Sequence, residues 1–204
     1  MQSITLGPLE TNCYLFGDRD TRQALIIDPG APEPSLQRLI ADWTVTGIVL
    51  THAHWDHFGG AGFLVEETDA PLLLGSDDLD LYHDPSANLA ALLGPDAKLP
   101  EPDRLLKAGS AVECGNLQLR VASAPGHSPG GIILKGERLA FTGDTIFANA
   151  VGRTDLPGGD TEALFATIEK EILTLPDETV LYPGHGPKTT VGQERITNPF
   201  LKGR

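Results

Sequence analysis

The sequence predicts an α/β fold assembled from two halves of similar style. Apolar, β-branched runs that end in Gly, Pro or Asp alternate with stretches of helical periodicity, and the pattern before residue 94 recurs after residue 103. Segments 12–17 (NCYLFG), 23–28 (QALIID) and 46–51 (TGIVLT) read as the first strands. Between the last two, Pro32 and Pro34 open a helix running to about Trp43, and Leu36, Leu39, Ile40 and Trp43 form a stripe that packs on a sheet. Residues 58–68 read as a helix, 71–75 (PLLLG) as a buried strand, and 76–93 as one or two short polar helices. The stretch 94–103, GPDAKLPEPD, carries three prolines and reads as a long connection within the domain. The second half offers strands near 111–113, 117–122, 131–135 and 138–143. A helix from about Asp160 to Leu173 with Leu164, Ile168 and Ile172 inward and a strand at 179–182 complete it.

Composition bounds the function. A chain of 204 residues is expected to form one domain spanning residues 1–204. No stretch reaches the roughly 18 uninterrupted apolar residues of a membrane span, and the N-terminal segment lacks a basic start followed by an apolar core, so a cytoplasmic protein is expected. A net charge of -13 with basic residues scattered singly repels phosphate backbones, which excludes nucleic acid as a partner. Cys13 and Cys114 form no C-x-x-C pair and read as small core hydrophobes.

Five of the six histidines belong to one pattern. Residues 51–57 read THAHWDH, an H-x-H-x-D-H run after a strand, while His127 and His185 each follow Pro-Gly at later strand ends and Asp144 follows Phe141-Thr142-Gly143. Four strand ends thus deliver polar groups to one rim, the usual way α/β sheets build sites. Alternate residues of an extended segment project to one side, so His52 and His54 can share a cation with His127. Asp56, His57 and His185 form a second set, and the two oxygens of Asp144 suit it to bridge. Two divalent cations about 3.5–4 Å apart can clamp a hydrolytic transition state. Imidazole and carboxylate donors suit zinc, with iron or manganese the alternatives. His83 has no partner pattern and reads as a surface residue.

Motifs along nearly the whole chain carry a resemblance: NCYL at 12–15, IDPG at 27–30, THAHWDHFGG, APGHSPGG, FTGDTIF, GRTDLPGGD and YPGHGPKTT. The chain resembles metallo-β-lactamase-fold hydrolases, most closely the glyoxalase II-like branch, whose members hydrolyse acylated glutathione. The resemblance implies a four-layer αβ/βα sandwich of two mixed β-sheets flanked by helices. It also implies that Asp28 supports the histidine loop from beneath and that Arg153 and Asp155 brace a loop beside the metals. Tyr182 and Lys188, flanking His185, read as exposed loop residues.

The chemistry expected on this basis is cleavage of a small-molecule thioester such as S-D-lactoylglutathione by a metal-bridged hydroxide, with Asp56 both a ligand and the group that orients the nucleophile. Ser128, within His127-Ser128-Pro129, reads as a turn former. Larger relatives carry an added basic helical region that binds glutathione, whereas this sequence ends at Arg204, leaving Lys188 among few basic groups near the site. The competing reading is a persulfide dioxygenase with one non-heme iron on His52, His127 and Asp144. Lactone or β-lactam hydrolysis would use the same site.

Overall fold

The computed structural model describes residues 1–94 and 99–202. Strands β1 (Gln2–Leu6), β2 (Thr11–Asp18) and β3 (Gln23–Ile27) form an antiparallel meander. Helix α1 (Pro34–Ile40) then crosses over to β4 (Thr44–Leu50), which runs parallel to β3. Helices α2 (Trp55–Phe58) and α3 (Ala61–Thr68) lead to β5 (Leu72–Gly75), and α4 (Leu79–His83) and α5 (Ala90–Leu93) precede β6 (Arg104–Leu106), completing a six-stranded mixed sheet in chain order. The second sheet begins with the meander β7 (Ala111–Cys114), β8 (Leu117–Ser123), β9 (Ile132–Lys135) and β10 (Leu139–Gly143). A small ribbon follows, β11 (Ile146–Phe147) with β12 (Ala150–Val151). Helix α6 (Thr161–Thr167) widens into π-type turns over Ile168–Ile172, after which β13 (Val180–Pro183) pairs parallel with β10. The edge strand β14 (Thr189–Thr190) and helix α7 (Val191–Thr197) follow.

Strand alternation builds the layers. In β3, Ala24 and Ile26 face the first set of helices while Leu25 and Ile27 face the second sheet; in β4, Ile48 and Leu50 divide from Val49 in the same way. In β9, Leu134 faces the first sheet and Ile133 packs under Leu164, Ile168 and Ile172. Three separate cores therefore divide four layers, helices, sheet, sheet and helices, as the resemblance implied. Both cysteines are buried free thiols, Cys13 on the helix side of the first sheet and Cys114 between the sheets.

The differences from the sequence reading have local causes. The helix expected over 58–68 is broken at Gly59-Gly60, because the Gly60 N–H donates to Pro29 O at 2.7 Å and the chain passes too close to the 29–31 turn to carry a side chain. Trp43 lies beyond the end of α1, yet still packs on the helix-side core. Strands β1, β6 and β14 and helix α7 are short elements that periodicity did not single out. Of the connection expected at 94–103, residues 95–98 lie outside the described residues. No described helix is long and apolar enough to cross a membrane.

The two sheets meet at one end of the sandwich. There Ile132 N donates to Thr51 O at 2.8 Å and Asn12 N donates to Gly184 O at 2.7 Å, so loops from both halves of the chain are stitched together around one rim.

Candidate metal centre

All seven residues expected to bind metal converge on that rim. His52, His54, Asp56 and His57 lie at and just after the loop leaving β4, His127 follows β8, Asp144 follows β10 and His185 follows β13. Their donor atoms form three sets of three, each within 4.8 Å of one another: His52, His54 and His127; Asp56, His57 and His185; and His52, His57 and Asp144. The first two are the sets read from the sequence. Asp144 lies between them, with Oδ1 3.3 Å from His57 Nε2 and Oδ2 3.6 Å from His127 Nε2 and 3.5 Å from His185 Nε2. Gly184 makes this approach possible, since a Cβ there would run into the Asp144 carboxylate and the His57 ring.

Hydrogen bonds at the back of the rings set which nitrogen faces inward. His127 Nδ1 donates to Arg153 O at 2.8 Å and His185 Nδ1 donates to Leu9 O at 3.0 Å, which turns both Nε2 atoms toward the centre, where His127 Nε2 accepts from His54 Nδ1 at 2.9 Å. The single Thr51 hydroxyl proton goes to Asp28 Oδ2 at 2.7 Å, so its oxygen accepts from His52 Nδ1 at 3.2 Å and His52 Nε2 is free as well. Asp28 also accepts from Thr51 N at 2.7 Å, and its Oδ2 lies 3.0 Å from His57 Nδ1, although the ring N–H is not aligned with it. These contacts hold Asp28 in the left-handed region, φ 53°, that a non-glycine residue rarely adopts. The support role implied for Asp28 is thus visible as specific bonds to the loop that carries the histidines.

The donor set fits cations. His52 Nε2, His54 Nε2, His57 Nε2 and Asp144 Oδ1 are buried with no hydrogen-bond partner, which is costly for polar atoms unless another group satisfies them. Five imidazoles with ring centroids as close as 4.0 Å (His52 and His57) and two carboxylates make the donor chemistry of a divalent-metal site.

Electrostatics divide the cluster. Burial, then neighbouring histidines, holds His52 well below the ordinary imidazole range, and the same causes bring His54 down to about 3. Burial also opposes charge on His57 and His185. There, however, the carboxylates win: Asp144, Asp56 and Asp28 raise His57, and Asp56 and Asp144 raise His185. Burial likewise opposes ionisation of Asp56 and Asp144, but the facing histidines prevail and both are lowered.

Several supporting residues escaped the sequence reading. Asp78, fully buried, accepts from Ala53 N at 2.9 Å, Ser128 Oγ at 2.8 Å and Gly130 N at 2.5 Å, clamping the first histidine loop to the loop of His127. Ser128 is accordingly a buried clamp partner rather than only a turn former. Thr11 Oγ1 donates to Asp56 Oδ2 at 3.1 Å, while Asn12 Nδ2 and Tyr14 Oη donate to the carbonyl of Pro183, at 3.0 and 2.6 Å, beside His185. The NCY motif was the one available signal for this support. Arg153 braces His127 through its backbone carbonyl, whereas its side chain forms an exposed bidentate pair with Asp155 at 2.7 Å. Tyr182 corrects its reading as an exposed loop residue: it lies in β13, half-buried against Tyr14 and Phe141. Lys188 is exposed. His83 pairs on the surface with Glu101 at 3.0 Å, away from the cluster.

A family model described as the metallo-beta-lactamase superfamily matches residues 6–185, which include every residue of the centre. The chain belongs to that superfamily. Among metallo-beta-lactamase relatives, the hydroxyacylglutathione hydrolase GloC of Haemophilus influenzae is 36% identical over all of this chain and 99% of its own length. The crystal structure of the BLEG-1 B3 metallo-beta-lactamase superposes with a TM-score of 0.92 at 38% identity, covering 99% of each chain. TTHA1623 in a di-iron-bound form superposes with a TM-score of 0.86 at 41% identity, covering 98% of this chain and 100% of its own. Membership of this metallo-hydrolase superfamily makes the chain an enzyme with a centre for divalent metal.

Proposed function

We propose that the chain is a two-metal thioesterase of the hydroxyacylglutathione hydrolase kind. His52, His54 and His127 would hold one divalent cation, Asp56, His57 and His185 the other, and Asp144 would serve both. The observation that carries the reading is the position of Asp144, whose carboxylate lies 3.3 Å from His57 and 3.5 Å from His185 of one set and 3.6 Å from His127 of the other. Such cations, when bound, supply Lewis acidity and a water acidic enough to react near neutral pH. Zinc is the first choice on donor chemistry, with iron, present in the di-iron relative, and manganese as alternatives.

The chain's residues supply positioning. Asp56, held ionised by His57 and His185 and anchored by Thr11, orients the attacking water. His185, more exposed than the other ligands, marks the side from which a small-molecule thioester arrives. A C–O bond forms to water, the C–S bond breaks, one water proton goes to the departing sulfur and the other to solvent, and carboxylate and thiol leave. A thiol with pKa about 8.5 departs without a strong general acid.

Protein prepared without chelator should carry close to two metal equivalents and release thiol from S-D-lactoylglutathione. One iron equivalent, with oxygen uptake on adding glutathione persulfide and no thioester cleavage, would replace this reading with the dioxygenase on His52, His127 and Asp144. That alternative leaves Asp56, His57 and His185, an equally close set, without a task.

A further inference from the structure

Beside the centre lies a groove of about 390 Å³, within the roughly 300–1,000 Å³ range of ligand sites. One wall is the β1–β2 turn with Leu9, and the other is α3 with Phe63, closed by Trp55, Leu93 and Leu99. Asp56 of the metal centre lines it directly. The Leu9 wall is fixed to the centre as well, because Leu9 O accepts from His185 Nδ1. Its far side is held by Gly7 N, which donates to Glu33 Oε1 at 2.8 Å.

The charge in this groove runs one way. Among the described residues its charged lining is Asp56 and Glu66, with Glu33 behind the turn, and no described lysine or arginine lines it. Arg153, whose backbone carbonyl holds His127, has its side chain spent on Asp155, and Lys188 lies on the separate loop after His185. Against the described lining a carboxylate-bearing moiety such as glutathione would lose hydration without gaining a cation, whereas an apolar chain would lose only its contact with water.

We propose that the groove selects thioesters carrying a neutral, apolar chain of several carbons on one side of the scissile bond, with Phe63 and Leu9 as specificity-determining residues, and disfavours anionic glutathione conjugates. The inference rests on the thioesterase reading, and its test separates the two.

The experiment compares kcat/KM on acyl-N-acetylcysteamine thioesters of two to eight acyl carbons, on acetyl thioesters of alkanethiols of matching length, and on S-D-lactoylglutathione. In one of the two neutral series kcat/KM should rise about fourfold per methylene until the groove is filled. The series that rises identifies which half of the substrate lies in it. Phe63→Ala should flatten that slope, and Glu66→Lys, an exposed change, should improve lactoylglutathione several-fold without improving the neutral series. Titration calorimetry with uncleaved alkyl thioethers of N-acetylcysteamine and of glutathione reads the groove without turnover, and the neutral ligand should bind more tightly. Lactoylglutathione outrunning both series, with no effect of Phe63→Ala, overturns the groove proposal and leaves the hydrolase standing. If metal-loaded protein cleaves no thioester, the thioesterase reading falls; the thioether titrations then decide the groove alone, and equal or tighter binding of the glutathione ligand overturns it.

Discussion

The two halves of the metal centre are built from opposite materials. His52, His54 and His127 form an all-imidazole set, nearly buried, held from behind by Thr51, the Arg153 carbonyl and the Asp78 clamp. Asp56, His57 and His185 form a mixed set with its own negative charge and its most exposed member at the rim, held by Asp28, Thr11 and the Leu9 carbonyl. The first half resembles a socket in which burial keeps His52 and His54 neutral, the second an ion-pair network that stays charged. The first therefore depends on a cation for satisfaction of its buried lone pairs, while the second can partly satisfy itself.

Asp144 is the element the halves share, and its loss should have the largest effect. Asp144→Ala is expected to lower turnover by about a thousandfold or more, the scale of losing one electrostatic stabiliser of a transition state, and to reduce metal content below two equivalents by elemental analysis. Retention of both metals would show that the halves stand independently. Next comes chelation. If each cation binds the folded chain alone at a thousand times its Kd, removing one costs about 4 kcal/mol, or a fall in Tm of about 8–16 °C for a chain of this size by calorimetry.

Smaller changes separate the halves. Thr51→Val removes the hydroxyl that orients His52, and Thr11→Val removes the one that anchors Asp56. Each should weaken metal binding about 10- to 100-fold, Thr51→Val at the first set and Thr11→Val at the second, as read by competitive chelator titration. Equal effects on both cations would contradict the division.

In chelated protein the halves should answer pH with opposite sign. His54, at about 3 when folded against an ordinary 6.5, stays neutral while the unfolded chain gains a proton, so its contribution to stability is lost as the pH falls below about 6.5. His57 and His185 are raised, so their contribution is full below 6.5 and disappears as the pH climbs through their folded values. Asp56 and Asp144 are lowered, so theirs is present above the ordinary 3.8 and lost on further acidification. Between about pH 4 and 6.5 the second half is at full strength while the first is weakening. Urea midpoints across pH should show a flatter acid limb for His54→Ala and a smaller loss toward alkaline pH for His185→Ala; superimposable profiles would erase the distinction.

The smallest effect belongs to Arg153→Ala. Its side-chain pair with Asp155 is 62% and 68% exposed, worth at most about 1 kcal/mol, and the carbonyl that holds His127 survives the change. Turnover within about twofold of the parent is expected, with His83→Ala equally silent.

Much of this was legible in one dimension. The H-x-H-x-D-H run, the Pro-Gly-His turns and the Phe-Thr-Gly-Asp turn of Asp144 named the seven candidate ligands, because a ligand loop after a strand has a local signature in covalent spacing. The break at Gly59-Gly60 was not legible, since it is imposed by the 29–31 turn packed against it. Asp78 carried no signal either: its three partners lie 25 to 52 residues away in sequence.

By itself, then, the sequence determined the inventory: an alternating α/β chain, seven candidate ligands at strand ends, and two sets proposed from their spacing. Only the tertiary structure decided which oxygen of Asp144 faces which histidine, which ring nitrogen points inward, how Asp78 locks two loops, and that an acidic, apolar groove opens beside Asp56. The reason is physical. Strand alternation and turn chemistry act between residues a few positions apart, whereas these arrangements exist only once two sheets pack face to face and bring residues 12, 52, 127, 144 and 185 to one rim.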